Sequence, residues 1–213
     1  MKKLLPLFLL ALCLFGCSGD DSGSNSKAKP TSVLYELQGL FSKTNYFTYD
    51  SKSRISTVSD GQHLSTISYN PDNSVDEIVG PDLFYKFNYD QSKKLISLTD
   101  ADENLIPVQS PSNGVRIIEG QTFSTNSSGD WTLVDGITFT YGSKKGAFAN
   151  VKNVDALAIW LVENMSTVYL SKKRMATGSA NGSNWTFDVT TEEKGLPKTA
   201  MSGDVSVVFT YSE

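Results

Sequence analysis

The sequence predicts an all-β protein: mainly an antiparallel meander of hairpin units of about 20 residues, curved into a sheet or sandwich, with one inserted α-helix near 153–165. Three observations carry this. Tyr49-Asp50, Tyr69-Asn70 and Tyr89-Asp90 stand 20 residues apart, and self-similarity at a fixed period marks a repeat architecture. The runs between them are short, rich in aromatic and β-branched residues, and closed by Asp60-Gly61 or Asn70-Pro71-Asp72-Asn73, which is hairpin chemistry. Only Val154–Met165 breaks the strand pattern with a helix-like apolar stretch.

The repeat is deeper than its dipeptide. Phe47, Ile67 and Phe87 stand two residues before each Tyr, Ile55, Val75 and Leu95 six after it, and Val58, Ile78 and Leu98 nine after it. Each unit is an aromatic strand ending at the Tyr, a turn, and a shorter second strand. The Asp or Asn opens the turn because its side chain bonds the backbone two residues on. Phe47 and Tyr49 alternate onto one face. Ile55 and Val58 are three apart, so a bulge or burial on both faces is implied there.

The second half continues with insertions. Ile137–Gly142, Trp185–Asp188 and Val205–Tyr211 are strand-like, and Asn126–Asp130 and Asn181-Gly182 are turns. Segments 105–109, 115–124, 131–141, 166–171 and 196–201 are further expected strands. Asn153 or Asp155 would cap the helix. Its apolar residues run nearly all the way round, so it should be well covered. We read it as lying on one face of the sheet and plugging the core; the other reading exposes it to dock a partner through Trp160.

Tyr49-Asp50-Ser51-Lys52-Ser53-Arg54-Ile55-Ser56-Thr57-Val58 resembles a YD repeat: Tyr-Asp, a short turn, Arg, then alternating aliphatics. The usual turn Gly is Ser53 here, and Ser74 and Lys94 stand where the later copies would carry Arg. Over 44–213, with the motif concentrated in 44–100, the chain resembles small Bacteroidetes outer-membrane lipoproteins with a few degenerate YD-like hairpins. That resemblance implies a β scaffold and supplies no catalytic residues.

The N-terminus reads as an address. Lys2 and Lys3 precede an apolar run, Leu4–Phe15, interrupted by Pro6. Spanning a bilayer takes about 20 apolar residues, so this is a secretory signal rather than a membrane helix. Leu14-Phe15-Gly16-Cys17 resembles the bacterial lipobox, which implies a signal peptide over 1–16 and a lipidated N-terminal Cys17. Residues 17–32 then form the lipidated Cys and a flexible Ser/Gly/Asp/Asn/Lys tether, and 33–213 a single β-rich domain. Asp20-Asp21 just after the Cys resembles the export signal of surface lipoproteins.

Composition narrows the rest. At 39% hydrophobic and 11% aromatic residues the chain buries a core. Its net charge of −4 argues against nucleic acid, which needs a clustered basic surface. Two Cys and one His exclude a Cys/His zinc site and a disulfide framework. His63 has no nucleophile motif beside it, so a catalytic triad lacks support. Asp76-Glu77 and Glu192-Glu193 are adjacent pairs that point to opposite strand faces, so neither forms the facing carboxylates of a glycosidase by itself.

Asp100, Asp102 and Asn104 offer alternate oxygen ligands, a weak calcium candidate that lacks the Gly and Glu of an EF-hand. Tyr49, Tyr69 and Tyr89 are either sheet packing or a surface for a ligand or partner, with Trp160 a further candidate. No cofactor is expected. The expectation is a lipid-anchored outer-membrane protein exposed at the cell surface, acting as a non-enzymatic binding, adhesion or accessory module with a protein or glycan partner. The alternatives are a carbohydrate-binding lipoprotein of a nutrient-uptake system and, third, a glycoside-active hydrolase.

Overall fold

The computed structural model describes residues 27–111 and 114–213. The signal segment 1–16, Cys17 and the tether as far as Ser26 lie outside the described residues. The strands are β1 (Pro30–Leu37), β2 (Phe41–Tyr49), β3 (Ile55–Ser59), β4 (Leu64–Tyr69), β5 (Val75–Gly80), β6 (Leu83–Tyr89), β7 (Leu95–Thr99), β8 (Leu105–Gln109) and β9 (Arg116–Ile118). They continue as β10 (Gln121–Thr125), β11 (Trp131–Val134), β12 (Ile137–Lys145), β13 (Lys173–Ala180), β14 (Ser183–Thr186), β15 (Asp188–Glu193), β16 (Leu196–Ser202) and β17 (Val205–Tyr211). A helix α1 (Ala156–Val162) and a 3-10 helix (Asn164–Val168) lie between β12 and β13.

The expected meander is present, and it closes on itself. Successive strands pair antiparallel, β14 and β15 excepted, and β17 pairs with β1, Val33 facing Phe209. At two corners a strand path changes partner. In β8, Leu105–Pro107 face β7, whereas Val108 and Gln109 face β9. β14 and β15 are two parts of one bent path, the first pairing with β13 and the second with β16. Closure leaves no long unpaired edge, the standing liability of open sheets.

The repeat explains the wall. Thr48 faces Thr57 while Tyr49 faces Ile55, so Ser56 is the extra residue of a bulge. The same shift follows Ile67 and Asn88. The bulge is why Ile55 and Val58 are both buried despite their odd spacing. Five of the turns are clamped alike: in the first, Asp50 N–H donates to the Arg54 carbonyl and Ser53 N–H to the Asp50 carbonyl, both at 2.9 Å. The pattern recurs at Asn70, Asp90, Asp100 and Asn126.

The fourth residue of this turn has a positive φ, 66° at Ser53, 74° at Asn73, 64° at Lys93 and 63° at Glu103; only the copy at 126 fills it with glycine, Gly129. Left-handed backbone costs a residue with a Cβ about 1–2 kcal/mol. Lys93→Gly and Glu103→Gly are therefore each expected to raise stability by about 1 kcal/mol, after the entropy that glycine loses on folding. Urea denaturation of the single variants measures this, and a loss of stability would contradict it.

The long excursion between β12 and β13 fills the ring. Asp155 caps α1, its carboxylate accepting from Ala158 N–H at 3.1 Å. Ala156, Leu157, Ala158 and Ile159 are buried. Phe148 and Tyr169 pack on Phe47 of β2, and Trp160 on Phe123 of β10. Contacts with such distant strands require the segment to run through the interior, so the helix plugs the core, with Trp160 left half-buried at its end.

Four sequence expectations are corrected. The helix covers 156–162 rather than 153–165. Segment 166–171 is not a strand: with both edges of every wall strand engaged or at a corner, a β-prone run in the interior coils into the 3-10 turn. Segments 115–124 and 131–141 are each two strands, folded at Glu119-Gly120 and Asp135-Gly136, where all four residues have positive φ. The tether gives way to β1 at Pro30, because Pro30–Leu37 is captured between β2 and β17.

Candidate functional site

Antiparallel alternation defines two ends. The end where β1 begins, here proximal, carries the Tyr-Asp turns; the distal end carries the turns after β1, β3, β5, β7, β9, β11, β13 and β16. Strands of some seven residues separate them by roughly 20 Å.

At the proximal end, the Tyr columns are part of the wall. Tyr49 Oη donates to the Pro30 carbonyl at 2.5 Å and Tyr69 Oη to the Ile55 carbonyl at 2.7 Å. The Arg54 guanidinium stacks on the Tyr69 ring at 4.0 Å and is bound to Asp50 at 2.6 Å. Tyr89 packs against the same core. Burial raises the pKa of all three phenols. Rings packed on one side, with hydroxyls spent on the backbone in two of three columns, do not form an open platform. We therefore correct that candidate: Tyr49, Tyr69 and Tyr89 tie successive hairpins together.

The weak calcium candidate, Asp100, Asp102 and Asn104, lies in the turn between β7 and β8. Asp100 Oδ1 accepts from Asp102 N–H and Asn104 N–H, at 3.0 and 2.8 Å, and its Oδ2 from the Asn104 amide at 3.1 Å. Among the described residues no group of three or more His, Cys, Asp and Glu is arranged to hold a metal ion. His63 is exposed and lies 3.3 Å from Asp60.

These clamps set an acid limit on the fold. Asp72 is lowered to about 2 by the Ser74 hydroxyl and N–H, and Asp90 and Asp100 are lowered by Ser92 and Asn104 in the same way. A carboxyl depressed in the folded state favours folding above its unfolded pKa, and that contribution is lost as pH falls through the folded value. The melting temperature is expected to fall between about pH 4 and pH 2. Asp100→Asn should make that fall shallower without undoing the turn, since the Asn126 amide oxygen already accepts the equivalent N–H groups of Ser128 and Asp130. An unchanged acid limb would contradict this.

The distal mouth holds a different arrangement. A cavity of about 480 Å³ opens there between α1, the tip of the β9–β10 hairpin and the distal parts of β2 and β6. Its apolar wall is Tyr85, Ile118, Phe123, Leu157 and Trp160; its polar wall is Lys43, Glu119, Gln121, Glu163 and Asn164. Trp160 stands edge-on to Phe123, centroids 4.8 Å apart. Glu163 is 4% exposed, paired with Lys43 through one oxygen, while its other oxygen accepts from Met165 N–H at 3.0 Å and starts the 3-10 helix. Below it, Asn45 donates to Tyr169 Oη at 3.2 Å. Of the sequence candidates, only Trp160 enters this cavity. Lys43, Tyr85 and Glu163 carry no motif; the curved wall and the plug inside it bring them together.

The two ends differ in charge and polarity. The eight distal turns contain Asp60, Asp82, Asp100, Asp102, Glu103, Glu119, Asp135 and Asp204 and no Lys or Arg. The proximal turns mix signs, with Lys52, Arg54, Lys93, Lys94 and Lys194 beside Asp50, Asp72, Asp90 and Asp130. Exposed large apolar residues also concentrate distally: Leu40, Phe41, Tyr46, Leu64, Val79, Leu105 and Met201, against Ile96 alone near the proximal turns.

The outer wall elsewhere is polar. Thr48 bonds Thr57 across the strands at 2.7 Å, Thr140 bonds Thr177 at 2.7 Å, and Lys86 pairs with Glu77 at 3.3 Å. Phe47, Val58, Ile67, Ile78, Phe87 and Leu98 face inward. A membrane-spanning barrel has the opposite plan, an apolar band outside and a polar lumen. No described helix is long and apolar enough to cross a membrane.

Fold and mouth together define a closed β-meander filled by its own plug, with one cavity-bearing, acidic end. No protein-family model matches the chain, and no curated protein matches it. Among solved structures, it is similar to a porin-like protein from Bacteroides uniformis ATCC 8492, at 11% identity and a TM-score of 0.40, over 86% of this chain and 96% of that one.

Proposed function

We propose that this chain is a lipid-anchored outer-membrane protein exposed at the cell surface, a non-enzymatic binding, adhesion or accessory module that presents its distal mouth away from the membrane. One observation carries the reading: the polypeptide enters the domain at the proximal end, while the cavity with Trp160 opens at the other. Lipid on Cys17 and the tether after it would set the proximal turns toward the bilayer and leave the mouth facing outward. The polar wall supports attachment through lipid rather than through strands in the membrane.

The anchor is tested by Cys17→Ala. The variant is expected to fold and to move from the membrane fraction to the soluble fraction, because several acyl chains on one residue supply the attachment. Full membrane retention would overturn the anchor.

A second reading, a carbohydrate-binding lipoprotein of a nutrient-uptake system, is favoured by the cavity itself. Tyr85 and Trp160 beside Gln121, Glu119 and Asn164 supply apolar ring faces and hydrogen-bonding groups within one ligand-sized space. Titrating an oligosaccharide panel while following tryptophan fluorescence, with Trp160→Phe as the control, tests it. If no glycan perturbs the Trp160 signal, this reading is wrong.

A further inference from the structure

The strongest unassigned feature is a groove on the rim beside the mouth. It has a volume of about 610 Å³ and lies between the β1–β2 and β16–β17 turns, floored by Leu37, Leu40, Phe41 and Met201, with Glu36 and Asp204 at its sides. Leu40, in the β1–β2 turn, is 81% exposed, and Phe41, at the start of β2, is 45% exposed although its ring lies 6.1 Å from that of Tyr35. Exposed apolar surface gathered at one place and bordered by polar groups marks a contact site.

We infer that this groove docks a basic, amphipathic polypeptide segment of a protein partner, with apolar side chains seated on Leu40, Phe41 and Met201 and Lys or Arg side chains against the acidic rim. The inference rests on the binding-module reading and specifies its partner. Charge selects the occupant. The flanking Glu36 and Asp204 belong to an end whose turns hold carboxylates and no Lys or Arg, so the field there attracts cations and repels anionic polymers and acidic surfaces. A second copy of this chain would bring the same acidic rim against itself. Topology selects the mode. The ring is closed, so the partner cannot add a strand to a long free edge, and recognition falls to side chains in the groove.

The test uses the full chain and three synthetic probes: a short amphipathic Leu/Lys peptide, the same peptide with Glu in place of Lys, and oligolysine of equal charge. The Leu/Lys peptide is expected to bind, more weakly as salt rises, and more tightly than either control. Leu40→Ser and Phe41→Ser should each weaken it by about tenfold, as truncation of a central contact does. Asp204→Lys should weaken it with the groove left intact, whereas Ile96→Ser, near the proximal turns, should change nothing. Leu40 is a turn residue on the surface, so its variant is expected to melt like the parent, and any loss of binding then belongs to the groove.

Absence of binding, equal binding of the Glu peptide, or equal loss with Ile96→Ser would overturn the proposal. So would concentration-dependent dimerisation abolished by Leu40→Ser, which would identify a second copy as the occupant. None of these outcomes touches the anchor, which the Cys17→Ala fractionation reads separately.

Discussion

Phe148→Ala is expected to lower stability by about 4 kcal/mol, within the range for emptying a buried aromatic site. Phe148 is fully buried and sits where the plug meets the wall. Its ring is edge-on to Phe47, centroids 5.3 Å apart, and stacked on Tyr169 at 6.4 Å, while Phe47 and Tyr169 also meet at 6.4 Å. Removing the shared ring leaves the other two without their common neighbour. The surrounding backbone resists collapse, because Phe148 N–H donates to the Ser171 carbonyl at 2.9 Å and so ties the outgoing and returning limbs of the plug.

Chemical denaturation should show a lower midpoint with the slope unchanged, and the melting temperature should fall by on the order of 10 °C. Phe148→Leu, which keeps most of the volume, should lose less than half as much. A loss below about 1 kcal/mol for Phe148→Ala would mean that the interior relaxes around the gap and that the plug is not anchored there.

That result would bear on the part of the fold least visible in the sequence. The wall was legible because its information is local and repeated. The Tyr-Asp columns mark the turns, the odd spacing of Ile55 and Val58 marks the bulge, and the place where YD repeats carry Gly is the very position where Ser53 takes a positive φ. β1 is not legible in the sequence because Pro30–Leu37 has no Tyr-Asp turn of its own and owes its strand to β2 and β17, one next to it in sequence and the other at the far end of the chain. Segment 166–171 is the reverse case: Thr167, Val168 and Tyr169 favour strands, but their location inside the ring offers no partner edge.

The site was less legible than the fold. Trp160 could be picked out as the large aromatic of the helix. Lys43 and Glu163 meet across 120 positions, and Tyr85 joins them only because β2 and β6 both point their distal ends at the mouth. Nothing in the local sequence of any of the three sets it apart. The acidic rim is an intermediate case. Its carboxylates are plain in the sequence, but their segregation to one end emerges only once alternate turns of the meander are assigned to opposite ends.

The plug also has a neck, and Gly146→Ala should damage it by about 3 kcal/mol, the upper range for forcing extra volume into a packed site. Gly146 follows the last β12–β13 pair, Lys145 with Lys173, and its N–H donates to the Lys172 carbonyl at 2.7 Å. A Cβ there would stand 2.5 Å from the Ser171 carbonyl oxygen and 2.7 Å from that of Lys173, closer than the 3.0 Å that real Cβ atoms respect. Both obstacles are backbone, so no rotamer change can relieve them. The two limbs would have to separate, which would strain the hydrogen bonds that Gly146 and Phe148 make across the neck.

Gly142→Ala is the internal control. It lies on β12 four residues earlier, and its Cβ would meet nothing nearer than the Arg174 carbonyl oxygen at 3.9 Å. There alanine should be neutral or stabilising by up to about 1 kcal/mol, since glycine is a poor strand residue. Equal stability of the Gly146→Ala and Gly142→Ala proteins would show that the neck yields freely. A large gap between them would show that the interior segment is held at its entrance as tightly as at the Phe47–Phe148–Tyr169 cluster, so that the mouth cavity is built against a fixed helix.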